Sequence, residues 1–180
     1  MNYERFIQNV IDQIKEAQIK LGYAYETTRL YYPTDSLGRL LNAEDEKERL
    51  LELLKSDLYF QNTKLGKIAF GGSKERIEVC ILPEGAKYIH EKVETPVFLE
   101  ALIQLFNQNH HCKIEEIEAL FQEYSNSCVV KKMPEGEDFD YVLHFEDEKP
   151  DAYYYCIKME MGHTIYHRFC KEDYLFIVSK

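Results

Sequence analysis

Residues 95–106 read TPVFLEALIQLF, and this stretch decides how the rest of the 180-residue chain is arranged. Thr95 and Pro96 form a typical helix start, because threonine caps the first turn and proline needs no backbone N–H there. The residues that follow are apolar around most of the helix circumference. Since such a helix is buried, we expect residues 96–109 to lie in the centre of the fold, with Phe106 in the core.

The same helix start separates two lobes. Residues 1–95 are predicted to form an N-terminal helical lobe with a β-hairpin, and residues 96–180 a helix pair followed by an antiparallel sheet. A chain of 180 residues is long enough to build one shared core. We therefore expect the lobes to pack closely, either as two domains or as a single one.

Apolar periodicity places further elements in the first lobe. Three stretches have apolar residues at helical spacing, namely 6–21, 44–58 and 84–93. Asn42 is the predicted N-cap of the second of these helices. Two short apolar runs flank Gly71 and Gly72, which predicts a β-hairpin over residues 65–82 with the glycine pair at its turn.

The second lobe changes from helix to strand at Cys128. A second helix is predicted over residues 114–125, directly after the central one. Five stretches then have strand character, namely 128–133, 139–146, 153–159, 163–170 and 174–178. These strands would form the C-terminal antiparallel sheet of an α+β fold, with the helices packed against it.

The hairpin over residues 152–170 can pair in two registers. A two-residue loop would place Cys156 opposite His167 and Glu160 opposite His163. These four side chains would then share one face of the sheet, and together they form a plausible metal-ligand set. This register supports a metal site as an alternative interpretation.

A three-residue loop in the same hairpin would place Tyr155 opposite Phe169 and leave His167 among apolar residues. This register pairs like with like, which is how a half-buried sheet specifies its pairing. We favour it for that reason, and with it we expect no metal site and no cofactor.

Residues 76–89 read RIEVCILPEGAKYI and resemble the end of a wing running into its last helix. The order of helices followed by a hairpin resembles winged-helix domains over residues 44–93 and, more loosely, over residues 96–146. The resemblance implies two winged-helix-like lobes and DNA binding through a recognition helix. The whole chain is also similar to an uncharacterised bacterial family of unknown function, which supplies no mechanism.

The charge pattern departs from that of a DNA-binding protein. The candidate recognition helix over residues 114–124 contains four glutamates and neither lysine nor arginine. The whole chain has 22 basic and 32 acidic residues, a formal net charge of -10. Because binding to phosphate needs clustered cations, we expect no nucleic-acid partner and no membrane partner.

The cysteines predict a reducing compartment. There are five, an odd number, and none forms a CxxC pair. The N-terminal residues lack the apolar core of a signal peptide. We therefore expect a cytoplasmic protein with free thiols.

Tyrosine is the unusual component of the composition, with 14 residues and no tryptophan. Tyr23, Tyr25, Tyr31 and Tyr32 cluster in sequence around Arg29, and we predict that these five residues form a binding surface. Tyrosine offers a rigid, amphipathic contact and is enriched at protein interfaces. The alternative is a tyrosine-lined seam between the first helix and the rest of the first lobe.

These features favour a cytosolic, non-enzymatic protein-interaction module, whose partner is another protein or a second copy of the chain. One alternative is a small metal- or thiol-dependent enzyme that uses Cys156, His163 and His167. A second alternative is a winged-helix transcription regulator, which would need a basic face assembled by the tertiary structure.

Overall fold

The computed structural model describes residues 1–179, which form an α+β fold with a C-terminal antiparallel sheet, as predicted. By its internal contacts the chain divides into two compact units, Met1–Thr95 and the part that begins at Pro96. Whether these units unfold as separate domains stays a prediction. No helix within residues 1–179 combines the length and the apolar character needed to cross a membrane.

The first unit contains four α-helices, one short 3-10 helix and a three-stranded antiparallel sheet. In chain order these are α1 (Tyr3–Leu21), β1 (Thr28–Pro33), α2 (Thr34–Leu41), α3 (Lys47–Ser56), the 3-10 helix Leu58–Gln61, β2 (Ile68–Ser73), β3 (Arg76–Ile81) and α4 (Pro83–Lys92). The strand order is β1-β3-β2, so β3 lies in the centre of the sheet.

Helix α1 supplies one side of the first unit's core. Its apolar stripe is buried, and the Phe6 side chain is fully enclosed. The Phe6 ring lies 5.6 Å from the ring of Phe60, which belongs to the 3-10 helix, and 6.2 Å from that of Tyr32 on β1. The inner face of β3 adds Ile77 and Val79, both fully buried. The helix is therefore held by burial of its stripe, as its periodicity predicts.

Two local predictions in the first unit are wrong. Asn42 ends α2 in the left-handed conformation (φ 54°), which asparagine tolerates, and α3 begins only at Lys47. The glycine pair at 71–72 lies inside β2, because the register pairs Ser73 with Arg76 and leaves residues 74 and 75 as the turn. At Asn42 the sequence pattern mistook the end of one helix for the start of the next, and at the glycine pair it mistook strand residues for a turn.

Over residues 96–179, the second unit contains three α-helices and a four-stranded antiparallel sheet. In chain order these are α5 (Val97–Gln108), α6 (Ile114–Tyr124), β4 (Cys128–Lys132), β5 (Tyr141–Phe145), β6 (Tyr154–Glu160), β7 (His163–Phe169) and α7 (Lys171–Val178). The strands pair in sequence order, β4-β5-β6-β7.

Aromatic rings join α5 to the sheet within the second unit. The Phe98 ring lies 4.8 Å from that of Phe121 on α6, 5.1 Å from that of Phe145 on β5 and 5.6 Å from that of Tyr155 on β6. The four rings contact one another mostly edge to face, the arrangement that aromatic quadrupoles favour. Phe106, which the sequence places in the core, is only half-buried.

The register predicted for the β6–β7 hairpin is wrong. Residues 161 and 162 form a two-residue turn, both with positive φ (52° and 76°), so Cys156 pairs with His167 and Glu160 with His163. Such a turn matches the twist of the two strands. Matching apolar with apolar residues could not identify the register here, because apolar groups cover both faces of this sheet.

The second face of the sheet is covered by α7, where the sequence predicts a strand over residues 174–178. Tyr174 is buried against Val142 and Cys156, and its ring stacks 4.5 Å from that of Tyr154. A short apolar run fits either a strand or a buried helix, which is why the apolar residues at 174–178 wrongly predicted a strand.

We predict that Phe98→Ala lowers the free energy of unfolding by about 3–5 kcal/mol, because it removes a buried ring and leaves a cavity. Val97→Ala is the matched control, since Val97 is 69% exposed and surface substitutions change stability by at most about 0.5 kcal/mol. Denaturant titrations followed by circular dichroism measure both. A loss below about 1 kcal/mol for Phe98→Ala would contradict the ring cluster as the core of the second unit.

Candidate functional site

The predicted tyrosine site lies where α1 gives way to β1. Helix α1 stops at Gly22, whose positive φ (84°) suits glycine. The chain then runs through a short non-helical segment before β1 begins at Thr28. Tyr23 and Tyr25 lie in this segment, and Tyr25 is 76% exposed.

Tyr23 and Tyr25 form an aromatic platform together with His90 of α4. The Tyr23 ring stacks on the His90 ring, with centroids 4.4 Å apart and planes 6° from parallel. The Tyr25 ring meets that of Tyr23 at 61°, with centroids 4.8 Å apart. Tyr25 is therefore both exposed and held in place by a neighbouring ring.

Hydrogen bonds between α1 and α4 hold the base of this platform. The Lys15 ammonium, which is buried, donates to the carbonyl oxygen of Ile89 at 3.4 Å, and the Gln18 amide donates to that of Ala86 at 3.0 Å. The Ile89 carbonyl belongs to the last turn of α4, where a cation such as the Lys15 ammonium is favoured by the helix dipole. His90, next in the chain to Ile89, is thereby fixed relative to the end of α1.

Arg29 and Tyr31 lie on the outward face of the three-stranded sheet, around Glu78. The register places Arg29 opposite Cys80 and Tyr31 opposite Glu78. The Arg29 Nε is 3.4 Å from Glu78 Oε1, the Cys80 thiol donates to the same oxygen at 2.8 Å, and the Tyr31 hydroxyl also bonds to Glu78. The thiol bond, followed by the Tyr31 and Arg29 contacts, lowers the pKa of Glu78, so the carboxylate stays ionised.

Tyr32 does not belong to the surface on which the sequence places it. Adjacent residues of a strand point to opposite faces, and Tyr32 points inward with only 5% exposure. Its hydroxyl donates to Asn9 Oδ1 at 2.8 Å and accepts from Gln13 Nε2 at 3.0 Å. Tyr32 therefore forms the predicted seam with α1, and the other tyrosines of the group keep exposed surface.

The four residues of the alternative metal site do not come together, although the β6–β7 register that this site requires is the one observed. Cys156 is buried beneath α7, whereas His163 and His167 are exposed and Glu160 is at the hairpin end. Within residues 1–179, no three histidine, cysteine, aspartate or glutamate side chains are arranged to hold a metal ion.

A cavity of about 420 Å³ in the second unit does gather histidines, from two separate motifs. The His163 ring lies 5.7 Å from that of His111 and 6.3 Å from that of His110. Thr164 of β7 joins this strand to the segment 110–112 that links α5 to α6. Its N–H donates to the carbonyl of His110 and its hydroxyl to that of Cys112, both at 2.8 Å. The Cys112 thiol, which lines this cavity, is buried.

Burial makes the thiols poor nucleophiles. It raises the pKa of Cys156 to about 12, and it raises the pKa of Cys112, Cys128 and Cys170 to about 11. A thiol needs a depressed pKa to be ionised, and so to act as a nucleophile, at neutral pH. The enzyme alternative that uses Cys156, His163 and His167 therefore lacks an activated nucleophile.

Comparison with models of known protein families identifies the family of the chain. The chain belongs to the family described as "Domain of unknown function, E. rectale Gene description (DUF3877)", whose model matches residues 3–178. This confirms the similarity to an uncharacterised family of unknown function, while the winged-helix resemblance is not confirmed. Searches of the curated proteins and of the solved structures give no match.

We predict that iodoacetamide labels Cys156 much more slowly in the folded protein than in denaturant at neutral pH. A thiol with a pKa of about 12 is almost wholly protonated, and Cys156 is only 2% exposed. Mass spectrometry of timed, quenched samples measures the rate at each cysteine. Rapid labelling of Cys156 in the native protein would contradict its burial and support the interpretation of the chain as a thiol-dependent enzyme.

Proposed function

We propose that the chain is a non-enzymatic protein-interaction module that binds its partner through a tyrosine surface formed by Tyr23, Tyr25, Arg29 and Tyr31. The observation that carries this proposal is the state of Tyr25, which is 76% exposed yet held at an angle against the stacked pair of Tyr23 and His90. Exposed aromatic rings of this kind are typical anchors of protein interfaces.

Preorganisation supports a binding role for these side chains. A side chain that is already ordered loses less conformational entropy when a partner docks, so more of the contact energy contributes to affinity. Tyr25 is held by Tyr23, and Tyr31 is held by its hydrogen bond to Glu78. Tyr31 also keeps 46% of its surface exposed.

The charge of the chain favours a different protein as the partner over a second copy. Two copies would each have a net charge of -10, and like charges oppose association. A less acidic partner has no such penalty, and Arg29 provides one cation at the surface, with 54% of its side chain exposed. We place the interaction in the cytoplasm, where the five free thiols would stay reduced.

Photo-crosslinking tests the proposal without knowledge of the partner. Benzoylphenylalanine replaces Tyr25 in cells that express the chain, and in a matched control it replaces Tyr124, an exposed tyrosine of α6. We expect an adduct with one protein from position 25 and no such adduct from position 124. That protein is then purified and its affinity measured.

With the purified partner, Tyr25→Ala and Tyr31→Ala should each weaken binding by roughly five- to thirtyfold, as expected for aromatic anchors worth about 1–2 kcal/mol. Calorimetry measures the affinity, and circular dichroism confirms that both variants fold. The proposal is wrong if the same adduct forms from position 124, or if both alanine variants bind the purified partner like the wild type.

A further inference from the structure

Helix α7 rests on a stack of three aromatic rings that crosses one face of the second unit's sheet. Tyr174 of α7 stacks on Tyr154 of β6 with centroids 4.5 Å apart, and Tyr154 stacks on His144 of β5 with centroids 4.3 Å apart and planes 5° from parallel. We propose that His144 is a proton sensor for this helix: protonation of its ring displaces α7 from the sheet and uncovers Cys156. This device lies in the second unit and is independent of the tyrosine surface.

The surroundings of the His144 ring favour its neutral form. Its Nδ1 atom is buried, and within residues 1–179 this nitrogen has no hydrogen-bond partner. A neutral imidazole can keep its one proton on the other ring nitrogen, so that Nδ1 carries no hydrogen. The charged form protonates both nitrogens, and it would leave a buried N–H without an acceptor, which is costly.

Charged groups act on the ring from its own strand and from α7. Burial is the largest cause that lowers the pKa of His144; the carboxylate of Glu146 on β5 opposes this effect, and the ammonium of Lys171 at the start of α7 adds to it. Other titratable groups lie on the same sheet face or in the first turn of α7, namely Lys131 of β4, Lys158 of β6, His167 of β7, and Glu172 and Asp173 of α7. Of the charges on α7, that of Lys171 is the one that acts on the ring, and it leaves when the helix does.

Helix α7 is the neighbour of His144 that is held most weakly. Strands β4 and β6 are joined to β5 by the hydrogen bonds of the sheet. Within residues 171–178, in contrast, Tyr174 is the one buried side chain of α7. The other apolar side chains of this helix are half-buried or exposed, and Leu175 and Val178 leave 49% and 41% of their surface to solvent. Displacing α7 therefore costs less than opening the sheet.

Acid shifts the balance toward the displaced helix. With α7 in place, the pKa of His144 is below the ordinary histidine value of about 6.5. With α7 displaced, Lys171 is gone and water reaches the ring, so the pKa returns toward that value. The displaced state then binds more protons, so docking of α7 is strongest above about pH 6.5 and weakens as the pH falls below it. Near pH 5.5, about one unit lower, a single proton favours displacement by at most about tenfold.

Thiol labelling with 4,4′-dithiodipyridine tests the proposal, because this disulfide reacts with thiols at acid as well as at neutral pH. The full chain is labelled near pH 7.5 and near pH 5.5, and mass spectrometry gives the rate at each cysteine relative to the denatured chain at the same pH. We expect the relative rate at Cys156, which is buried against Tyr174, to rise severalfold at the lower pH. The relative rate at Cys112, which is equally buried but lines the cavity near α6, should not change.

Substitutions identify the group that senses the proton. His144→Gln cannot gain a charge, so Cys156 should be labelled at the same relative rate at both pH values. His167→Gln is the matched control on the same sheet face, and it should keep the acid effect of the wild type. Lys171→Gln, at an exposed position, should fold normally and show a smaller acid effect, since it removes the charge that opposes protonation.

A further variant checks that α7 is the cover of Cys156. Tyr174→Ala removes the buried anchor of the helix, so it should speed labelling of Cys156 at both pH values. Circular dichroism confirms that each variant folds.

Four results would overturn the proposal. The first is the absence of an acid effect at Cys156, and the second is an equal rise at Cys112, which would show that the whole second unit unfolds. The third is an undiminished acid effect in His144→Gln or, if that variant does not fold, in Lys171→Gln. The fourth is continued protection of Cys156 in Tyr174→Ala, since α7 would then not be its cover.

Discussion

The packing of α1 against α4 is the constraint on which the first unit and its candidate site depend. A buried ammonium, that of Lys15, sits at the end of α4 and donates to the carbonyl of Ile89. Burying this charge is costly unless it is hydrogen-bonded, so the two helices are held in one alignment. That alignment places His90, itself exposed, against the ring of Tyr23, which in turn contacts the ring of Tyr25.

The second unit is organised by a different constraint, namely that both faces of its sheet are covered. Rings from α5 and α6 pack on one face around Phe98, and Tyr174 of α7 packs on the other against Cys156. This arrangement buries the thiol that would otherwise be the strongest candidate for chemistry. The second unit therefore contributes a well-packed core and no activated nucleophile among its described residues.

The regular part of the fold could be predicted from the sequence, because its signals are local. The stripe of α1, the Thr95-Pro96 start of α5 and the alternation of β5 and β6 each depend on residues close in the chain. The β6–β7 register could not be predicted in the same way. It depends on a two-residue turn and on α7, which covers a face that the sequence pattern left unassigned.

The candidate site could be predicted only in part. Composition identified Tyr23, Tyr25, Arg29 and Tyr31 as a group, but it also included Tyr32, which strand alternation turns inward. The partners that hold these side chains, His90 and Glu78, come from α4 and β3, far along the chain. Nothing in a single sequence links them to the tyrosines, because such contacts exist only once the unit has folded.

The central claim is that the aromatic platform is already formed in the free protein. Nuclear Overhauser spectroscopy with selectively labelled tyrosine and histidine rings tests it most directly, with the Tyr154–His144 stack, at 4.3 Å between centroids, as internal reference. We predict cross-peaks between the rings of Tyr23 and His90, which lie 4.4 Å apart, of strength similar to the reference. Reference cross-peaks without any between Tyr23 and His90 would contradict the account.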